Sequence, residues 1–393
     1  MSRALSFAIF FSILLGLVGA VHYYIWARLV RDTALSPSTT RALTVALVGL
    51  FVLVPVSLFA RRSGSSIAEP LVWVGSVWLG VLLLFLVALA ASDLGRAMIA
   101  LGGRLADAPP VDPERRTALA RLFAALVTLA VGGAGALAVR SGLARVALRE
   151  VEVQLRRLPE KLSGTTIVQL TDVHVGPTIG RDFIEEVVER TNALEPDVIA
   201  ITGDLVDGSV DELREHVAPL ARLRARYGVY FVTGNHEYYS GADAWCAELE
   251  RLGIRVLRNE RVTIGEGDAS FDLAGVDDAH AHQFGGGHGA DLDRAVRGRD
   301  PNRELVLLAH QPRAVFDAVR HGVGLQLSGH THGGQIWPWR YMVRLQQPVV
   351  SGLARFGETL VYVSNGTGYW GPPMRLAAPA EITRLTLRAA ASA

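Results

Sequence analysis

Four apolar stretches crowd the first 140 residues and limit what this chain can fold into more than any other feature: 4–26, 42–60, 67–91 and 122–139. A helix needs roughly 20 apolar residues to cross about 30 Å of hydrocarbon. The first three satisfy this, and the fourth sits at the short end, with 18 residues before Arg140. A soluble bundle would present polar faces at helical spacing, and 81–91 presents none. A cleaved leader would account for 1–26 alone, and no clean small-residue cleavage site follows it. Arginines bracket the stretches (Arg3, Arg28, Arg41, Arg61, Arg62, Arg121, Arg140), and Tyr23, Tyr24 and Trp26 close the first as an interfacial belt would. We therefore expect a four-helix transmembrane anchor over 1–140, a linker and first strand over 141–160, and a soluble domain over 161–393.

No ionisable residue sits deep in the spans: Glu69 is near an edge, and His22 lies near an end, where it reads as an interfacial residue. Ion and proton transport use ionisable groups at depth, so the bundle reads as an anchor in a lipid bilayer rather than a pump. Four spans put both ends on one side. The arginine totals on the two sides do not decide which, and Arg3 leans toward a cytoplasmic N-terminus. Pro109, Pro110 and Pro113 mark 92–117 as an exposed connection.

The formal net charge of +1 argues against a broadly basic nucleic-acid binder, and 50% apolar residues argue against disorder. A single cysteine, Cys246, excludes an internal disulfide framework and a cysteine-built zinc site, and reads as inert core.

From residue 150 the pattern changes. Apolar strand-like runs at 166–170, 197–202, 228–233, 304–309 and 324–328 each end in polar residues, with helical spacing at 181–194 and 210–224. Further strands are expected at 151–155, 271–276, 359–363 and 381–387. The pattern predicts a layered α/β fold with mixed sheets and its chemistry at the C-terminal ends of the strands.

Those ends carry Asp172, His174, Asp204, Asn235, His310, His330 and His332. They are oxygen and nitrogen donors without a thiolate, suited to Mn, Fe, Zn, Ni or Co. Asp172 and His174 share one side of an extended segment, as do His330 and His332. Gly203, Gly234 and Gly329 precede ligands and would let the backbone turn sharply.

The series Asp172-x-His174, Gly203-Asp204-x-x-Asp207, Gly234-Asn235-His236-Glu237, His310 and Gly329-His330-x-His332 resembles the signature of the calcineurin-like metallophosphoesterases. The text from Gly329 to Ile336 and from Asn365 to Arg375 looks like their membrane-associated bacterial branch and is similar to animal transmembrane metallophosphoesterases. The resemblance spans 160–390 and implies a four-layer α-β-β-α sandwich with two divalent metal ions. Asp172, His174, Asp204 and His332 would hold one ion. Asp204, Asn235, His310 and His330 would hold the other, with Asp204 bridging. A hydroxide held between the ions would attack phosphorus in line. His236 would protonate the leaving alkoxide or stabilise the transition state, and Asp207 would orient its ring, unless Asp207 is a helix N-cap.

The chain then reads as an integral protein of a bacterial cell membrane that hydrolyses a phosphoester or pyrophosphate bond. A phosphodiester or lipid-linked substrate is expected, because the anchor lies close in sequence. A phosphomonoesterase, or a non-catalytic sensor or scaffold that keeps the fold, is the alternative. Oligomeric state is open. Arg375, after Gly371-Pro372-Pro373-Met374, could contact substrate phosphate or sit in an internal salt bridge. The stretch 279–289 carries His280, His282 and His288 among glycines and reads as a flexible rim loop in preference to a third metal site. The basic-aromatic stretch 337–356 fits the headgroup layer or a cap packed over the core.

Overall fold

A computed structural model describes residues 3–60, 69–106 and 112–390. Arg61, Arg62, Pro109 and Pro110 lie outside the described residues. The chain divides into two compact units: Met1–Ser141 with Gly371–Met374, and Gly142–Trp370 with Arg375–Ala393.

The first unit holds α1 (Arg3–Trp26), α2 (Pro37–Ala60), α3 (Glu69–Leu105) and α4 (Pro113–Gly142). All four are long and apolar enough to cross a membrane. Small residues bring α2 and α3 together: a Cβ on Gly75 would meet the Ser57 side chain at 2.5 Å. The connection after α1 is fastened by Arg121, which donates to the carbonyls of Thr33 and Ala34, each at 2.8 Å. His22 departs from the interfacial reading. It is buried, and its Nε2 accepts from Trp78 Nε1 at 3.0 Å.

The second unit is built on two six-stranded sheets. The first contains β1 (Ala147–Leu155), β2 (Thr166–Leu170), β3 (Val198–Ile201), β4 (Val229–Phe231), β5 (Arg255–Val256) and β12 (Glu381–Ala389), in the order β1-β12-β2-β3-β4-β5. The second contains β6 (Glu260–Glu266), β7 (Ala269–Gly275), β8 (Leu305–Leu308), β9 (Leu325–Ser328), β10 (Gly352–Phe356) and β11 (Thr359–Val363), in the order β10-β11-β9-β8-β7-β6. In the first sheet β1-β12 and β2-β3-β4-β5 pair in parallel and meet at an antiparallel β12-β2 pair; in the second, β7-β8-β9-β11 pair in parallel and antiparallel β6-β7 and β10-β11 pairs close the edges.

Period-two alternation sends side chains to opposite faces and so makes layers. Ile167, Val198, Ala200, Val306 and Leu308 face inward and join Phe271 and Tyr362 in the core between the sheets. Val168, Leu170, Ile199 and Ile201 face the other way, onto α5 (Arg181–Asn192), α6 (Val210–Val217) and, past a short α7 (Asn235–Ser240), α8 (Ala242–Arg251). Leu305 and Leu307 face outward with Ala318 and Leu292 from short helices on that side. The result is the expected helix–sheet–sheet–helix stack. Cys246 is buried in the α8 layer. The apolar runs end together at the carboxyl edge of β2, β3, β4, β8 and β9, and the polar residues start there.

Phe271 is fully buried between the sheets. Phe271→Ala is expected to cost about 3–5 kcal/mol of stability, read as a lowered unfolding midpoint of the purified chain. An unchanged midpoint would remove Phe271 from the core.

Candidate metal centre

Three of the five strand ends, those of β2, β3 and β9, turn abruptly. Asp172, His174, Asp204, His330 and His332 have φ of 52°, 55°, 51°, 69° and 50°. This is the left-handed region, rare outside glycine and costing about 1–3 kcal/mol per residue. The strain lies in the site residues themselves, so the expectation of glycine hinges needs correction. Gly203 does take φ 85°, whereas Gly234 has φ −99°. Gly234 and Gly329 are needed for room. A Cβ at Gly234 would run into the Asp204 carboxylate, and one at Gly329 into the side chains of Asp172 and Thr171.

The turns bring six ring and carboxylate groups together. Asp172, His174 and His332 form one cluster, and Asp204, His310 and His330 a second. His174 Nε2 and His332 Nε2 lie 3.1 Å apart, and His310 Nε2 and His330 Nδ1 lie 3.2 Å apart. Asp204 Oδ2 stands between the clusters, 3.1 Å from His310 Nε2 and 3.9 Å from His174 Nε2. The Asn235 Oδ1 atom is buried without a hydrogen-bond partner.

Surrounding groups aim these atoms. His310 Nδ1 donates to the Thr202 carbonyl at 2.8 Å, which leaves Nε2 as the lone-pair nitrogen of the neutral ring. His174 Nδ1 donates to Asp207 Oδ1 at 3.0 Å, with the same effect on its Nε2. Asp172 accepts from the His330 backbone at 2.9 Å and the Thr171 hydroxyl at 2.7 Å. Asp204 Oδ1 accepts from the His236 backbone at 2.9 Å. Buried Glu237 accepts from the backbones of Gly234, Asp204 and Leu205 at 2.6, 3.0 and 2.8 Å, and so ties two site loops together. Sequence reasoning passed over this brace, since its partners are backbone groups distant in sequence.

Burial drives the proton balance. It lowers the pKa of His330 to about 3, helped by neighbouring His310, and holds His332 well below the usual imidazole range. Neutral imidazoles are what a cation needs. Burial opposes charge on His310 too, but Asp204 outweighs it and raises that pKa. Burial with the Asp204 charge pushes Glu237 up to about 7. Facing nitrogens, two buried carboxylates and an orphaned amide oxygen make a donor set that fits divalent cations.

His236 belongs to neither cluster. Its Nδ1 donates to Asp207 Oδ1 at 2.6 Å, the same oxygen that holds His174. Burial disfavours its charge, yet the Asp207 hydrogen bond and nearby carboxylates raise its pKa to about 9. Asp207 is no helix cap, because Ser209 caps α6. Aromatic rings rim His236. Tyr239 and Trp370 have ring centroids 5.4 and 5.8 Å from it, Phe284 lies 5.4 Å from Tyr239, and all three are exposed.

Three other expectations are settled differently. Arg375 is fully buried and does not reach a substrate: it donates to the carbonyls of Gly368, Ala378 and Asn365, bracing its own loop. Burial lowers its pKa to about 10. The 279–289 stretch is anchored rather than a loose rim, since Asn259 donates to Gly289 O and Arg258 to His288 Nδ1. Among the described residues its three histidines form no ligand cluster, and His282 bonds the Ala279 carbonyl. The basic-aromatic stretch divides between its two readings: Trp337, Trp339 and Tyr341 are exposed and the helix Arg340–Val343 buries nothing, whereas Val350 is buried and Val349, Ala354 and Phe356 pack on the core.

Residues 165–334 match the model of the calcineurin-like phosphoesterases. A transmembrane protein with a metallophosphoesterase domain from Bos taurus is 40% identical over 95% of this chain and 87% of its own length. The chain belongs to the calcineurin-like metallophosphoesterases. An uncharacterized metallophosphoesterase of Campylobacter jejuni is 30% identical over 97% of this chain and 99% of its own, and the YkuE metallophosphoesterase of Bacillus subtilis is 30% identical over 70% and 98%. The protein is thus a phosphoester hydrolase of a dimetal-dependent family, with relatives called transmembrane proteins.

Asp204→Asn is expected to reduce retention of both cations at once, because Asp204 Oδ2 faces both clusters. Elemental analysis of the purified variant checks this, and a full complement of tightly held metal would refute the bridging position.

Proposed function

We propose that this metallophosphoesterase cleaves a phosphodiester or a lipid-linked phosphoester or pyrophosphate at a bilayer surface, with its site on the cytoplasmic side of a bacterial cell membrane. The observation that supports the chemistry most is the stance of Asp204 Oδ2 between two clusters of imidazole and carboxylate donors. Asp172, His174, Asp204 and His332 would hold one cation, and Asp204, Asn235, His310 and His330 the other. Mn, Fe, Zn, Ni and Co all suit such donors. Two bound cations would supply activated water and offset the charge on the phosphoryl oxygens.

The chain's own groups do the rest. His236 is anchored through Nδ1, so its Nε2 proton is the one free to pass to the leaving oxygen. Asp207 keeps that ring charged and turned toward the site. The exposed rings of Tyr239, Phe284 and Trp370 line the approach to His236 and favour a substrate with apolar or flat parts. Trp337, Trp339 and Tyr341 beside Arg340 and Arg344 form the kind of surface that rests among headgroups. Four membrane-length helices in the same chain point to the same substrate class.

The test is turnover by the detergent-purified chain with Mn²⁺, comparing chromogenic mono- and diesters with phospholipids and nucleotide-sugar lipids. Turnover of monoesters alone would overturn the substrate class. Absence of turnover with both cations bound would favour a sensor or scaffold. His236→Ala is expected to keep its metal and lose roughly 10²–10⁴ in rate. A near-normal rate on an ester with a poor leaving group would remove His236 from catalysis.

A further inference from the structure

A second imidazole that belongs to neither cluster is held by Gln311, the residue that follows His310. β7 ends at Gly275, and the chain runs on through two buried acids, Asp277 and Asp278, to half-buried His280. This segment is fixed to the strand ends on both flanks. The Asp278 backbone donates to Thr233 Oγ1 at 3.3 Å, next to Gly234-Asn235. The Asp278 carboxylate accepts from Gln311 Nε2 at 3.0 and 3.1 Å, and Gln311 follows His310.

The hydrogen bonds fix which ring nitrogen of His280 carries the proton. A carboxylate only accepts, so the Gln311 atom facing Asp278 is the amide nitrogen. Gln311 Oε1 accepts from Gln347 Nε2 at 3.3 Å, and Gln347 Oε1 accepts from the Arg313 backbone at 3.1 Å, so the polarity runs one way along the chain of amides. The second N–H of Gln311 Nε2 then points at His280 Nδ1, 3.1 Å away. Nδ1 is an acceptor, and the neutral ring keeps its hydrogen on Nε2. That atom has no hydrogen-bond partner among the described residues. It is not among the polar side-chain atoms cut off from solvent.

We propose that His280 Nε2–H is a phosphoryl-binding donor, placed on the His310–His330 side of the centre as His236 is on the His174 side. The two rings divide the work by their anchors. His236 is held by a carboxylate and carries a proton to give away. His280 is held by an amide donor and offers a fixed hydrogen bond to a phosphoryl oxygen. This rests on the phosphoesterase reading, and phosphate binding tests it independently of turnover.

The experiment titrates inorganic phosphate calorimetrically into the metal-loaded full chain and measures kcat and KM on the best substrate found. His280→Ala is expected to weaken phosphate binding and raise KM by about 10–100-fold, as for a lost hydrogen bond to a charged group, with metal content unchanged and kcat altered far less. His280→Gln keeps a side-chain N–H and is expected to recover most of the binding. Wild-type phosphate affinity in both variants would overturn the proposal, as would loss of metal in His280→Ala or a wild type that binds no phosphate. A wild type that binds phosphate yet hydrolyses nothing would defeat the hydrolase reading and leave the affinity comparison to decide on His280.

Discussion

Keeping two negative groups out of water is the constraint around which the catalytic unit is arranged. Asp172 and Asp204 are 0% and 2% exposed. An ionised carboxylate buried without compensation costs several kcal/mol. Backbone donors from His330 and His236 answer part of that charge. What remains is a set of ring nitrogens facing one another across 3.1 and 3.2 Å, a geometry that suits divalent ions. The left-handed backbone at five of these residues is the steric cost of aiming them inward, offset by the sheets beneath.

Much of this was legible in the residues. β2, β3, β8 and β9 are covered on both faces, so they read as mostly apolar runs closed by polar text, with Gln169 and Gln326 the buried exceptions. The donors stand in short local patterns that survive without coordinates. The edge strands were harder. β6 buries little beyond Val262 and Ile264, and β10 has no buried residue, so neither carries a strong hydrophobic signal. Arg375 misled because an arginine after two prolines looks solvent-facing. Only the folded loop reveals the carbonyls that surround it. Glu237 and Gln311 escaped for the same reason: their partners are set by the meeting of distant strands.

In the helical unit the apolar lengths were plain, but the polar stitching was not. Helix α3 has 37 residues, about 55 Å at 1.5 Å per residue, well beyond what a bilayer core needs. Its far part carries Asp93, which pairs with Arg28 and Arg96 and accepts from Tyr24 at 2.7 Å. The bracketing arginines thus do more than mark ends. His22 and Trp78 form a further polar pair inside the unit, which hydropathy averages over.

One oxygen, Asp207 Oδ1, serves His174 and His236 together. The ring that would grip a cation and the ring that would release a proton therefore share a hinge pin. Selection acting on position 207 cannot retune one without moving the other. Adaptation to new leaving groups is thereby steered away from the anchor and toward the exposed rings of Tyr239 and Trp370, which hold no cation donor in place.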